Sequence, residues 1–215
     1  MYRGLPHESA VQETIFTRLG VSRAAHFAAT LAASRQGRLT SATKSNGMLH
    51  TMPFWDEIVE DTVREYPGVT LTSELVDALA AHLVLKPWTF DVIVASNLFG
   101  DILPDLGSSL TGSIGLAPSA NLNPGGDFPS LFEPVHGSAA DVAGKGVVNP
   151  VGQIWSGAMM LEHLGHPEAA AHLQVAFESA LRDGHGTRDV GGTSSTAEFT
   201  AAVLTDIDAL AAVAA

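Results

Sequence analysis

The sequence predicts an α/β fold, and three observations carry that prediction. Strand-like and helix-like segments alternate over roughly the first half of the chain. One of them, residues 91–95 (Asp-Val-Ile-Val-Ala), is an apolar, β-branched run of the kind found in strands buried on both faces. The composition is that of a chain that folds: 215 residues, 46% hydrophobic and 16% charged.

In chain order, apolar alternation predicts a strand over residues 10–16, and a helical apolar rhythm predicts a helix over 21–34. Residues 39–43 read as a short strand. Residues 48–65 read as an amphipathic helix interrupted early by Pro53, followed by a Pro-Gly turn and a strand over 69–72. Ser73 opens the next helix, with Leu75, Leu79 and Leu83 on one side, and the buried strand 91–95 comes after it. Beyond about Thr111 the texture changes to a Gly-, Pro- and Asn-rich stretch over 112–129, then helices over 151–164, 167–182 and 196–213. A lobe with so few strand candidates is expected to pack on a sheet supplied by other residues. No repeat of fixed period and no low-complexity tract interrupts this order.

Eleven Lys and Arg stand against 23 Asp and Glu, a net charge of −12, so no basic field exists to attract nucleic acid or anionic lipid. An acidic protein that handles an anionic substrate needs local positive charge, from a few basic side chains or a bound cation. There are no cysteines, which excludes disulfides, thiolate catalysis and zinc–sulfur sites. The first residues lack the apolar core of a signal peptide and no later run has membrane-spanning length, so the chain reads as cytoplasmic with no membrane partner.

The sharpest local feature is Ser96-Asn-Leu-Phe-Gly-Asp101-Ile-Leu-Pro-Asp105, directly after the buried strand. Positions i and i+4 share a helix face, so Asp101 and Asp105 project together at the carboxyl end of a strand, where α/β sheets place ligands. Two adjacent carboxylates suit a hard divalent ion such as Mg²⁺ or Mn²⁺; the other reading is a helix with two solvated acids. Lys44, at the end of a predicted strand in Thr43-Lys-Ser-Asn-Gly47, is either a general acid/base or a solvated strand-end charge. Residues 133–150 (Glu-Pro-Val-His-Gly-Ser-Ala-Ala-Asp-Val-Ala-Gly-Lys-Gly-Val-Val-Asn-Pro) mix small residues with single polar groups. Such a segment can approach a pyrophosphate with its backbone, and an aspartate in it can accept ribose hydroxyls; it can equally be an ordinary glycine-rich turn. No P-loop or Gly-x-Gly-x-x-Gly is present, and His50, His82, His163, His166 and His172 form no metal-ligand set.

Thr43-Lys-Ser-Asn-Gly-Met, Ala95-Ser-Asn-Leu-Phe-Gly-Asp-Ile-Leu-Pro-Asp-Leu-Gly and Phe132-Glu-Pro-Val-His-Gly-Ser-Ala-Ala-Asp together resemble the β-decarboxylating dehydrogenases, the isocitrate/isopropylmalate dehydrogenase family. The likeness covers essentially the whole chain. Lys-Ser-Asn-Gly, Ala-Pro-Ser-Ala-Asn-Leu-Asn-Pro and Phe-Pro-Ser-Leu-Phe-Glu-Pro-Val-His are most similar to the branch of tartrate and decarboxylating D-malate dehydrogenases.

The resemblance implies an isopropylmalate dehydrogenase-like α/β fold of two lobes. Residues 1–111 would form an α/β lobe with the dimer interface and metal carboxylates, and 112–215 a mostly helical remnant of the NAD-binding lobe. It implies NAD- and Mg²⁺- or Mn²⁺-dependent oxidative decarboxylation of a 2-hydroxy dicarboxylic acid. Lys44 would relay protons, Asp77, Asp101 and Asp105 would bind the metal, and Asn46, Glu133, His136, Gly137, Ser138, Ala139, Asp141 and Asn149 would lie on the segments that hold NAD. Asp141 favours NAD over NADP. In the family's homodimer Lys44 and Asp77 serve the partner subunit's site.

The family carries a further stretch ahead of the position matched by Met1, with strands of the NAD lobe, arginines that clamp substrate carboxylates and a catalytic tyrosine. Tyr2 and Arg3 do not match that pair. The expectation is therefore a truncation, a late start or one piece of a split protein, incomplete without a separate N-terminal fragment. Two other readings stay open: a 3-isopropylmalate or isocitrate substrate, and a non-catalytic dimerisation module derived from the family.

Overall fold

Strands β1 (Arg38–Thr43), β2 (Thr70–Leu75) and β3 (Val92–Val94) form a parallel sheet in the order β2-β1-β3. The computed structural model describes residues 1–214. Five of the six residues of the central strand β1 are buried, as expected where a parallel sheet is covered on both faces. Parallel neighbours need helical crossovers, and α2 (Thr51–Val63) and α3 (Val76–Leu85) supply them; α1 (Arg18–Ala33) precedes the sheet.

Helix α1 starts where Thr17, in extended conformation, accepts a bond from the Gly20 amide at 3.1 Å, a cap worth about 1 kcal/mol. Its buried face is Val21, Ala25, Ala28, Ala29 and Ala32, small side chains that let the helix lie close to α2 and the sheet. Helix α2 buries Met52, Trp55, Ile58, Val59 and Val63, and the Trp55 indole donates to the buried Ser41 hydroxyl at 3.0 Å. Asp91 ties the start of β3 to the α1–β1 turn: its fully buried carboxylate accepts from Arg35 Nε at 2.8 Å and from the Gln36 amide at 2.9 Å.

The chain forms two compact units, Met1–Leu103 and Pro104–Ala215, and the division falls inside α4 (Asn97–Leu110). Pro104 has no N–H to give to the Gly100 carbonyl, so the helical ladder is weakest at that step. In the second unit β4 (Pro118–Asn121) and β5 (Leu131–Pro134) pair antiparallel and pack on α5 (Val151–His163). Gly152 permits that contact, because a Cβ there would lie 2.9 Å from the Gly115 carbonyl oxygen and 3.0 Å from that of Ala117. Helices α6 (Pro167–Arg182) and α7 (Thr196–Ala214) complete the unit around Val151, Ala176, Phe177, Ala180, Phe199 and Val203. No helix among the described residues is long and apolar enough to cross a membrane.

Four sequence expectations need correction. Residues 10–16 form no strand: no neighbour pairs with them among the described residues, and Val11 and Ile15 are exposed. Ser73 and Leu75 belong to β2, not to the helix, because parallel pairing with Ser41 and Thr43 runs through them. Pro53 does not interrupt α2, since it sits in the first turn where a missing N–H costs nothing. The stretch 112–129 contains β4, whose Pro-Ser-Ala-Asn sequence has no β-branched residue and becomes a strand through its partner and α5.

Candidate active site and cofactor segment

Parallel pairing creates the first part of the site. Thr43, the last residue of β1, stands opposite Leu75, the last of β2, so Lys44 and Asp77 emerge side by side at the carboxyl end of the sheet. Lys44 Nζ donates to Asp77 Oδ1 at 2.7 Å. That bond, followed by backbone amides at the start of α3, holds the Asp77 carboxyl below its ordinary pKa. The side chains are 31% and 65% exposed, so water screens the pair and its weight lies in placing an ammonium rather than in stability. Asn46 is exposed in the turn that follows, where the Lys44 carbonyl accepts from the Gly47 and Met48 amides.

Two further groups that the sequence left unmarked brace this end of the sheet. Thr43 Oγ1 donates to Asp56 Oδ2 of α2 at 2.9 Å, and His82 Nδ1 lies 2.9 Å from Glu74 Oε2. Trp55 and Asp56 thus reach Ser41 and Thr43, alternate residues on one face of β1. Such pairings join residues far apart in sequence and leave no local signal.

Asp101 and Asp105 lie one turn apart on α4, both exposed and without an ion-pair partner among the described residues. Leu98 and Ile102 on the same helix face are also exposed, at 61% and 57%. Oxygen donors of this kind fit a hard divalent ion. Among the described residues no three His, Cys, Asp or Glu side chains form a group that could hold a metal.

The remaining candidates lie in the second unit. Glu133, on β5 opposite Ser119, accepts weakly from Asn121 Nδ2 at 3.3 Å. His136 Nδ1 is 2.9 Å from the Gly137 carbonyl oxygen, which makes Nδ1 the protonated nitrogen. Gly137, Ser138 and Asp141 are exposed in an irregular run. Ala139 sits at φ 45°, a left-handed conformation that costs a residue with a Cβ, and its carbonyl accepts from the Val142 and Ala143 amides. Asn149 is buried; its Oδ1 accepts from the Val151 amide at 3.0 Å and its Nδ2 donates to Asp189 Oδ2 at 2.9 Å.

The family model described as isocitrate/isopropylmalate dehydrogenase matches residues 2–203. The chain belongs to that family. A Bacillus subtilis protein named probable tartrate dehydrogenase/decarboxylase is 56% identical over 193 residues, spanning 90% of this chain and 54% of its own length. The Escherichia coli D-malate dehydrogenase (decarboxylating) is 50% identical over 206 residues, covering 93% and 57% respectively. The crystal structure of a β-decarboxylating dehydrogenase from Thermococcus kodakarensis superposes with a TM-score of 0.85 at 38% identity, over 97% of this chain and 60% of that one. This family member therefore spans little more than half the length of the relatives it matches. The resemblance read from its three motifs, and the α/β fold it implied, are borne out.

Proposed function

We propose that this chain contributes to an NAD- and Mg²⁺- or Mn²⁺-dependent dehydrogenase that oxidises and decarboxylates a 2-hydroxy dicarboxylic acid of the D-malate or tartrate type. The observation that carries the reading is the Lys44–Asp77 pair at the carboxyl end of the sheet, in a chain half identical to proteins bearing those names. Bound NAD⁺ would supply the oxidant, taking the C2–H electron pair as hydride; loss of the hydroxyl proton would then leave a 2-keto acid whose second carboxylate is β to the new carbonyl. The bond to that carboxylate then breaks, CO₂ leaves, and a proton is returned to C3. Lys44, whose ammonium is paired with Asp77, would move these protons.

Asp77, Asp101 and Asp105 would hold the metal, which when bound polarises the C2 oxygen. Asn46, Glu133, His136, Gly137, Ser138, Ala139, Asp141 and Asn149 are the proposed NAD residues. The Asp141 carboxylate suits ribose hydroxyls and repels a 2′-phosphate, so NAD is preferred over NADP. In a homodimer Asp77 of one subunit would complete the metal site of the other subunit's α4 acids, and the exposed Leu98 and Ile102 beside those acids suit a subunit interface. Polypeptide corresponding to the rest of the relatives' length would complete substrate binding.

The test is NADH formation from D-malate or tartrate with Mn²⁺, in the chain supplemented with the N-terminal part of a relative. Lys44→Met and Asp105→Asn are each expected to lower the rate about a hundredfold or more. A loss of less than about threefold in both would remove these residues from the reaction.

A further inference from the structure

Asp189 receives three hydrogen bonds from three separate stretches of the second unit. Asn149 Nδ2 donates to Oδ2 at 2.9 Å, Ser113 Oγ makes a short bond to the same oxygen, and Thr187 Oγ1 donates to Oδ1 at 2.5 Å. Burial by itself would raise the carboxyl's pKa, but these donors outweigh it and hold the group below its ordinary value. Because Asn149 also accepts from the Val151 amide, its side chain is fixed at both ends. Gly115 closes the third side, since a Cβ there would stand 2.9 Å from Asn149 Cβ and 3.2 Å from Asp189 Oδ2.

A second clamp grips the same segment. Thr196, the first residue of α7, donates its amide to the Gly146 carbonyl at 2.9 Å and its hydroxyl to the Val148 carbonyl at 2.6 Å. The start of α7 is itself set by a reciprocal cap. Glu198 Oε2 accepts from the Ser195 amide at 2.8 Å, while Ser195 Oγ accepts from the Glu198 amide at 3.2 Å. Gly146, Val148 and the Asn149 side-chain amide are thus held by Asp189 and Thr196, 40 to 50 positions later in the chain.

We infer that Asp189 and Thr196 are positioning residues for dinucleotide binding, holding residues 146–149 in the shape that presents this segment to the cofactor. The inference rests on the NAD reading above and adds two residues that would act through the segment 146–149. Thr196→Val removes the hydroxyl with little change of shape, and Asp189→Ala removes the acceptor of three donors, whereas Thr196→Ser keeps the hydroxyl.

The experiment is titration of the full chain and these three variants with NADH, followed by energy transfer from tryptophan, with thermal melting measured alongside. Thr196→Val and Asp189→Ala are expected to weaken NADH binding about tenfold, equivalent to about 1.4 kcal/mol, with Thr196→Ser close to the parent. Parent-like binding by both weakened variants would overturn the inference and leave the cofactor reading intact. Equal loss in Thr196→Ser would also overturn it, by showing that packing and not the hydroxyl matters. Absence of NADH binding by the parent itself would overturn the cofactor reading, and this inference with it.

Discussion

Lys44 and Asp77 are 33 positions apart in sequence and meet only because β1 and β2 run parallel in register. If the ammonium is the main cause of Asp77's lowered pKa, Lys44→Met should raise that carboxyl back towards its ordinary value, measured by carbon NMR titration. No rise would mean that the α3 amides alone set it. Asp91 offers a stability test with a defined sign. Burial opposes its ionisation, yet the Gln36 amide and Arg35 more than offset this, so its folded pKa lies below the unfolded one. Its contribution is fully present above the unfolded value, near 4, and is lost as pH falls through the folded value. Urea unfolding should therefore show Asp91→Asn less stable than the parent at neutral pH, with the gap closing below about pH 4. A gap that stays constant with pH would contradict this. Lys44, Asp101 and Asp105 stand out in sequence because each follows a strand-like run, whereas Asp56, Glu74 and Asp189 gain their roles from partners that only the fold supplies.

At the scale of elements, the helices and buried strands were legible because each carries its own periodicity. Residues 167–182 match α6 at both ends, with Pro167 opening the helix, and 39–43 match β1 to within one residue. Elements that depend on a neighbour were not legible: 10–16 has strand alternation without a partner, and 118–121 has a partner without strand composition. The α5–α6–α7 assembly turns on Phe177, which is 2% exposed and stacks at a tilt against Trp155 with ring centres 5.5 Å apart. Phe177→Ala should cost about 3–5 kcal/mol in denaturant unfolding. A cost below about 1 kcal/mol would show that this face collapses around the gap.

At the scale of the whole molecule, the chain joins a unit built on a parallel three-stranded sheet, with Lys44 and Asp77 just past the ends of β1 and β2, to a second, mostly helical unit. The acids that suit a metal lie on α4, the helix in which the two units divide. The residues proposed for proton transfer, metal and cofactor all lie in this chain, while the relatives extend over nearly twice this length. The most direct test of the account is simultaneous measurement of NADH and CO₂ from D-malate and Mn²⁺, by this chain alone and by this chain with a relative's N-terminal part. The account predicts that the mixture forms both products in equal amounts and the chain alone forms neither. A folded, NADH-binding chain that yields no product in the mixture, or NADH without CO₂, would contradict it.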